Sequence, residues 1–355
     1  MRSVATTPRS LADYEPFVGG ERLAGLRSAG ERARGLRVLH LNATAYGGGV
    51  AEILHNLVPL MRDVGLDASW SVIDAEPAFF DVTKKIHNAL QGMPLGFSDE
   101  ERRLFVDTQR ANVARLPEAD VIVAHDPQTA GLRAHAGARG ARWIWRCHID
   151  LTAAHPPYWA FLRPFVEQHD AAIFTMAEFV QPDLRLARTE IIAPSIDPTT
   201  PKNRELAPAE AAAVVARYGL DPFRPLLVQV SRFDPWKDPL GVIDAYRLAK
   251  DRLPDLQLAM IGSLADDDPE GAEYLARTIV HAGADPDIRC LTNLDGVGDV
   301  EVNAFQRAAT VVVQKSLREG FGLVVSEALW KQVPVVGGAC GGIPTQIVDG
   351  ETGYL

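Results

Sequence analysis

Two glutamates, Glu319 and Glu327, flank seven residues in Arg318-Glu319-Gly320-Phe321-Gly322-Leu323-Val324-Val325-Ser326-Glu327. The first falls in a glycine turn after an apolar run. The second falls about two turns into the helical pattern that starts there. Gly320 and Gly322 let a ligand come close to the backbone, and the start of the helix offers N–H groups without intrahelical partners. A carboxylate in the turn can accept hydrogen bonds from sugar hydroxyls, and one deeper in the helix can hold a ribose diol. The plain alternative is a capping glutamate followed by a solvent-facing one. Against it stands Ser231-Arg232-Phe233-Asp234-Pro235-Trp236-Lys237, directly after another strand pattern in the same half of the chain. Arg232 offers a planar fork and Lys237 a point charge, a pair suited to a diphosphate. Taken alone, the two would be ordinary solvated side chains.

Three further clusters sit at the ends of strand patterns. Gly47-Gly48-Gly49 precedes a helical pattern, where N–H groups and the helix dipole favour an anion. A tight turn is its other reading. Position 52, where the third glycine of a dinucleotide fingerprint would fall, is Glu52, which disfavours a dehydrogenase. Arg146-Cys147-His148-Ile149-Asp150 ends a strand of the first half, so His148 is either a ligand contact or a satisfied structural histidine. His125-Asp126-Pro127-Gln128 ends another and could supply polar groups for an acceptor. Asp266-Asp267-Asp268 reads as a solvated acidic turn. The three cysteines, Cys147, Cys290 and Cys340, read as reduced thiols. No zinc spacing, Walker loop or nucleophile elbow occurs, and no metal is expected.

These clusters need strand ends to hold them. Val38–Leu41, Trp70–Ile73, Val121–Val123, Trp143–Trp145 and Ala172–Phe174 read as strands, separated by helical patterns at Ala51–Gly65, Phe79–Leu90, Glu100–Leu116 and Tyr158–Gln168. The stretch Ile191–Pro208, with prolines at 194, 198, 201 and 208, interrupts the series and reads as a linker. A second series then begins, with strands at Leu226–Val230, Leu258–Ile261, Ile288–Leu291, Val311–Val313 and Val333–Val336. Helices at Leu240–Leu253, Glu270–His281, Val300–Ala308 and Leu323–Lys331 lie between them. Alternation of this kind predicts an α/β protein with two doubly wound, Rossmann-like domains and a ligand cleft at the carboxyl ends of their sheets. We place an N-terminal extension at 1–36, a first Rossmann-like domain at 37–193, a hinge at 194–208 and a second Rossmann-like domain at 209–355.

The chain's 355 residues suit two domains. With 47% hydrophobic and 23% charged residues, it is neither disordered, collagen-like nor a coiled coil. Acidic residues outnumber basic ones 46 to 36, so no nucleic-acid partner is expected. The leader is rich in arginine but lacks the apolar run of a signal peptide, and no stretch approaches the roughly 20 apolar residues of a membrane span. A soluble, cytoplasmic protein is expected.

With these motifs in this order, the chain resembles the retaining glycosyltransferases of the GT-B fold, in glycosyltransferase family 4. Within the family it is similar to the members that make trehalose. That likeness is carried by Leu39-His40-Leu41-Asn42-Ala43-Thr44 running into Gly47-Gly48-Gly49-Val50-Ala51-Glu52, by Trp145–Asp150, by Pro194-Ser195-Ile196-Asp197-Pro198 and by Val313–Gly322, and it runs from about Tyr14 onward. The resemblance implies glucose transfer from a nucleoside diphosphate glucose to free glucose, reversibly giving α,α-trehalose, with no cofactor. It implies Arg232, Lys237, Glu319 and His148 at the reacting centre. On the donor it implies Glu327, Gly320, Phe321, Gly322, Gly48 and Gly49. On the acceptor side stand His125, Asp126, Gln128, Arg146 and Asp150. Family members continue past Leu355 into further helices, so a chain cut short is expected. Another acceptor, a sugar-nucleotide epimerase and a non-catalytic nucleotide-sugar-binding remnant remain alternatives. The donor base stays open, as does oligomeric state, a homodimer included.

Overall fold

Short runs of mostly apolar residues become the strands of two sheets, and the helical patterns between them cover both faces. The computed structural model describes residues 1–46, 48–137, 140–264 and 270–355. Gly47 and the acidic triplet Asp266–Asp268 lie outside the described residues. Two units result, dividing between Pro194 and Ser195.

The first unit holds β1 (Arg2–Ser3), β2 (Arg37–Asn42), β3 (Asp67–Val72), β4 (Val121–His125), β5 (Arg142–Arg146), β6 (Ala171–Phe174) and β7 (Thr189–Ile191). Their order is β1-β3-β2-β4-β5-β6-β7, parallel except for β1, which pairs antiparallel with β3 through Arg2 and Val72. The second unit holds β8 (Leu226–Val230), β9 (Gln257–Gly262), β10 (Ile288–Thr292), β11 (Val311–Gln314), β12 (Val335–Gly337) and β13 (Gly353–Tyr354). Here the order is β10-β9-β8-β11-β12-β13, all parallel. Each sheet reverses its strand order once, between β2 and β4 in the first and between β8 and β11 in the second. Ligands of such sheets bind beyond the carboxyl ends of the strands at that reversal.

Large side chains fill each unit. Trp145, Phe79, Phe105, Tyr158 and Phe174 are fully buried in the first, as are Val228, Phe305 and Val335 in the second. Burying one such side chain contributes about 1.5–3 kcal/mol, enough in sum to hold strand ends rigidly.

Three expectations about chain organisation need correction. The leader is part of the first unit: β1 edges its sheet, and a helix spans Gly20–Arg32 with Leu23 buried. The linker stretch begins in β7, and from Ser195 onward it packs as part of the second unit. Asn303 Nδ2 donates to the carbonyls of Pro201 and Arg204 at 2.9 Å each, and Asn203 is fully buried. These side chains satisfy carbonyls that a free linker would leave to water. Finally, Pro208 opens a helix, Pro208–Arg217, where its fixed φ and missing N–H cost nothing.

Candidate active site

The loop after β8 is built around a buried acid. Asp234, 1% exposed, accepts from the N–H groups of Trp236 at 2.9 Å and Lys237 at 3.1 Å, and so caps the turn Pro235–Lys237. Gln229 Nε2 donates to the Lys237 carbonyl at 2.9 Å. Held this way, Lys237 reaches across to the loop after β11, where its Nζ donates to Glu319 Oε2 at 2.6 Å. Ser316 Oγ at 3.1 Å and Gln314 Nε2 at 3.2 Å donate to the same oxygen. Burial works to raise the Glu319 carboxyl, but the Lys237 charge and these hydrogen bonds outweigh it. The group lies below the ordinary glutamate value and is ionised at neutral pH. Arg232 stands on the same loop as Lys237, its Nη2 3.7 Å from Asp234 Oδ2 and its side chain 31% exposed.

Glycines let this loop exist. Gly341 has φ 50°, and a Cβ there would stand 1.6 Å from the Glu319 carbonyl oxygen. Gly322, at φ 86°, starts the helix Leu323–Trp330 in a left-handed conformation that side chains rarely adopt. Gln346 Nε2 donates to the Phe321 carbonyl at 2.7 Å, fixing Gly320, Phe321 and Gly322 half-buried beside Glu319.

Glu327 departs from expectation. Its carboxylate is completely buried, with Lys202 Nζ 2.8 Å from Oε1 and Gln306 Nε2 donating to Oε2 at 2.9 Å. Lys331 Nζ in turn donates to Gln306 Oε1 at 2.7 Å and Asn203 Oδ1 at 2.9 Å. Burial opposes the charge here too, but Lys202, Gln306 and Lys331 outweigh it and hold the carboxyl below its ordinary value. As placed, Glu327 anchors the segment carrying Lys202, and a ribose diol has no access to it.

In the first unit, Gly48 precedes the helix Gly49–Asp63 in extended backbone with no side-chain cap, and both glycines lie outside the core. Leu54 and Val58 seat that helix on the sheet. His125 ends β4 and His148 follows β5, their nearest nitrogens 2.9 Å apart. Asp126, at φ 60°, accepts from the His148 N–H at 2.7 Å through Oδ1, and its carbonyl accepts from Trp145 Nε1 at 3.0 Å. Gln128 lies half-buried in the short helix Asp126–Ala130. Three acceptor candidates turn inward instead. His125 is 4% exposed, with both ring nitrogens against other histidines. Arg146 is 7% exposed and donates to the carbonyls of Phe174 at 3.3 Å and Ile192 at 2.5 Å, which ties down the ends of β6 and β7. Asp150, 2% exposed, accepts from Thr152 N at 2.8 Å and Oγ1 at 2.6 Å, closing a turn. A buried group already satisfied by backbone partners is costly to redirect.

Sequence reasoning missed His40, Gln314, Ser316, Gly341 and Lys202. Only Gly341 carried a visible signal, the glycine cluster at 337–342 directly after a strand.

Residues 40–181 match the family described as trehalose synthase, N-terminal domain, and residues 215–355 match glycosyl transferases group 1. The trehalose synthase of Thermococcus litoralis is 49% identical over 98% of this chain and 85% of that protein. This chain belongs to the trehalose synthase family. The family member from Rubrobacter xylanophilus is 48% identical over 96% of this chain and 84% of its own length. Among solved structures, sucrose-phosphate synthase from Thermosynechococcus elongatus has TM-score 0.66 at 18% identity, covering 90% of this chain and 85% of that one. A trehalose-6-phosphate enzyme from E. coli bound with UDP-2-fluoro glucose has TM-score 0.63 at 15% identity, covering 87% and 86%. These likenesses place the two units in the GT-B fold. As a family member, the protein is a glycosyltransferase of trehalose metabolism. No helix among the described residues is long and apolar enough to cross a membrane.

Proposed function

We propose that the protein transfers glucose from a nucleoside diphosphate glucose, ADP- or UDP-linked, to the anomeric hydroxyl of free glucose, with retention, giving α,α-trehalose. The same step run backward cleaves trehalose with the nucleoside diphosphate. The observation that carries this reading is the Lys237–Glu319 pair beside Arg232, at the strand-order reversal of the second sheet. Both cations stand where the diphosphate of a nucleotide would bind in such a sheet.

As the bond from C1 to the diphosphate oxygen breaks, negative charge grows on the leaving group and the sugar becomes oxocarbenium-like. Arg232 and Lys237 meet the growing charge, with the backbone N–H group at Phe321 as a further donor. Glu319, ionised and fixed from one side by Lys237, Ser316 and Gln314, holds donor-sugar hydroxyls. The acceptor oxygen bonds to C1 on the face the diphosphate leaves, and its proton passes to the departing diphosphate oxygen. Atoms and charge balance without a carboxylate nucleophile, and the chain's own cations serve the leaving group, so the scheme includes no cofactor. His148 contacts the sugar, with Asp126 and Gln128 beside it. Product analysis by proton NMR, with glucose and either donor, tests the reading.

A further inference from the structure

The first unit carries three histidine rings in a row, of which the transfer scheme uses only the last. His40 Nδ1 lies 3.0 Å from His125 Nε2, and His125 Nδ1 lies 2.9 Å from His148 Nε2. Ring centroids are 5.3 and 5.2 Å apart, longer than the N···N distances by only about one ring diameter. The rings therefore meet edge to edge, and each contact is a nearly linear hydrogen bond.

Strand register explains the row. His40 on β2 is level with Val123 on β4, and His125 is level with Arg146 on β5. Each histidine thus sits two residues nearer the carboxyl edge than the one before it. Residues two apart share a sheet face, so all three rings line one face and climb from the core to the strand ends. His40 and His125 are each 4% exposed, whereas His148 is half-buried.

The buried end of the row has a partner of fixed chemistry. His40 Nε2 is 3.4 Å from Met61 Sδ, on the helix Gly49–Asp63. A thioether accepts a hydrogen bond and has no proton to give. His40 must therefore carry its proton on Nε2, which leaves Nδ1 as an acceptor. His125 fills that acceptor with Nε2–H, and His148 does the same for His125. The opposite assignment would aim two lone pairs at each other in a buried site. Burial also keeps the rings neutral, pushing His40 down to about 4 and His148 to about 3.

We propose that Met61 fixes the tautomers of this relay, so that His148 presents an unprotonated Nδ1 and recognises a sugar hydroxyl that must donate to it. No described residue partners that nitrogen. Met61, His40 and His125 are positioning residues. The sugar contact rests on the function proposed above, whereas the tautomer assignment does not.

Protein labelled with ¹⁵N in its histidine rings tests both. Long-range ¹H–¹⁵N correlation spectra report which ring nitrogen is protonated, and His148→Gln assigns the His148 signals. The expected result is His148 protonated at Nε2 alone. Met61→Leu is close in volume and lacks the acceptor. It should give both His148 tautomers and lower kcat/KM for the donor by on the order of three- to ten-fold, the effect of one misdirected hydrogen bond. A proton on Nδ1 in the wild type, or an unchanged tautomer in Met61→Leu, overturns the relay. Mixed tautomers with unchanged kcat/KM overturn its role in recognition. The expected tautomers in a wild type without transferase activity support the relay and overturn the proposed function instead.

Discussion

The Nζ of Lys237 lies 2.6 Å from Oε2 of Glu319, 82 residues later in the chain. One residue follows β8 and the other β11, the two strands that flank the reversal of the second sheet. Lys237 therefore balances a buried carboxylate and, in the proposed reaction, also meets the charge of the leaving diphosphate. Arg232, on the same loop and more exposed, is tied to Asp234 at 3.7 Å rather than to Glu319.

This difference separates two substitutions. Arg232→Ala should lower kcat by about 10²- to 10³-fold, the usual loss for a donor aimed at developing charge, with a smaller fall in Tm than Lys237→Ala. Lys237→Ala should lower kcat and Tm together, because it leaves the Glu319 charge buried and unbalanced. Steady-state rates and thermal melts of both variants check this. Full activity in Arg232→Ala contradicts the assigned role.

Glu327 is fully buried and Lys202, its ion-pair partner, is 13% exposed, so removing either alone should cost more than the pair's net worth. Removing one partner of a buried pair costs about 3–5 kcal/mol. Replacing both, as in Lys202→Met with Glu327→Leu, should cost clearly less than the sum of the single changes. Urea unfolding of the four proteins measures the coupling. Additive losses would show that the pair anchors nothing.

The alternation of strands and helices was legible because parallel strands covered on both faces are short apolar runs. What escaped lacked that signature. Thr189-Glu190-Ile191 forms an edge strand with every residue exposed, and Arg2-Ser3 pairs through only two residues. Pro208 marks both the end of a linker and the start of a helix, and spacing alone does not choose. In the site, glycines and cations at strand ends pointed to Arg232, Lys237 and Glu319. Spacing also set Glu327 inside its helix, but the surroundings of that helix face depend on Lys202 and Gln306, which no local pattern links to it. His40 sits in an apolar strand and reads as a core residue until the register places it level with Val123, one step from His125.

Gly341 supports Glu319 by making room for its carbonyl. Gly341→Ala places a methyl group 1.6 Å from that oxygen, at a φ that alanine disfavours. The loop has to move, and Glu319 with it. We expect a drop in kcat of at least about ten-fold, in line with the cost of a displaced reacting group. Kinetics beside a Tm measurement check it, and wild-type kcat would show that Glu319 needs no such support.

The buried histidines give stability a defined pH dependence. Burial pushes His40 down to about 4, whereas in the unfolded chain a histidine titrates near 6.5. Between those values the unfolded state binds more protons, so the contribution of His40 is fully present above about 6.5 and is lost as pH falls toward 4. The slope in that window should approach about 1.4 kcal/mol per pH unit from this residue and be shallower in His40→Gln. Unfolding free energies measured across the window would contradict this if wild type and variant ran parallel.

Glucosyl transfer with retention to free glucose is the reaction on which every rate prediction above depends. The decisive experiment incubates the purified 355-residue protein with glucose and either ADP-glucose or UDP-glucose and follows the products by proton NMR. A symmetric α,α-1,1-linked disaccharide should accumulate with one of the donors. Donor left intact alongside bound nucleotide, or a disaccharide of another linkage, would contradict the proposed reaction.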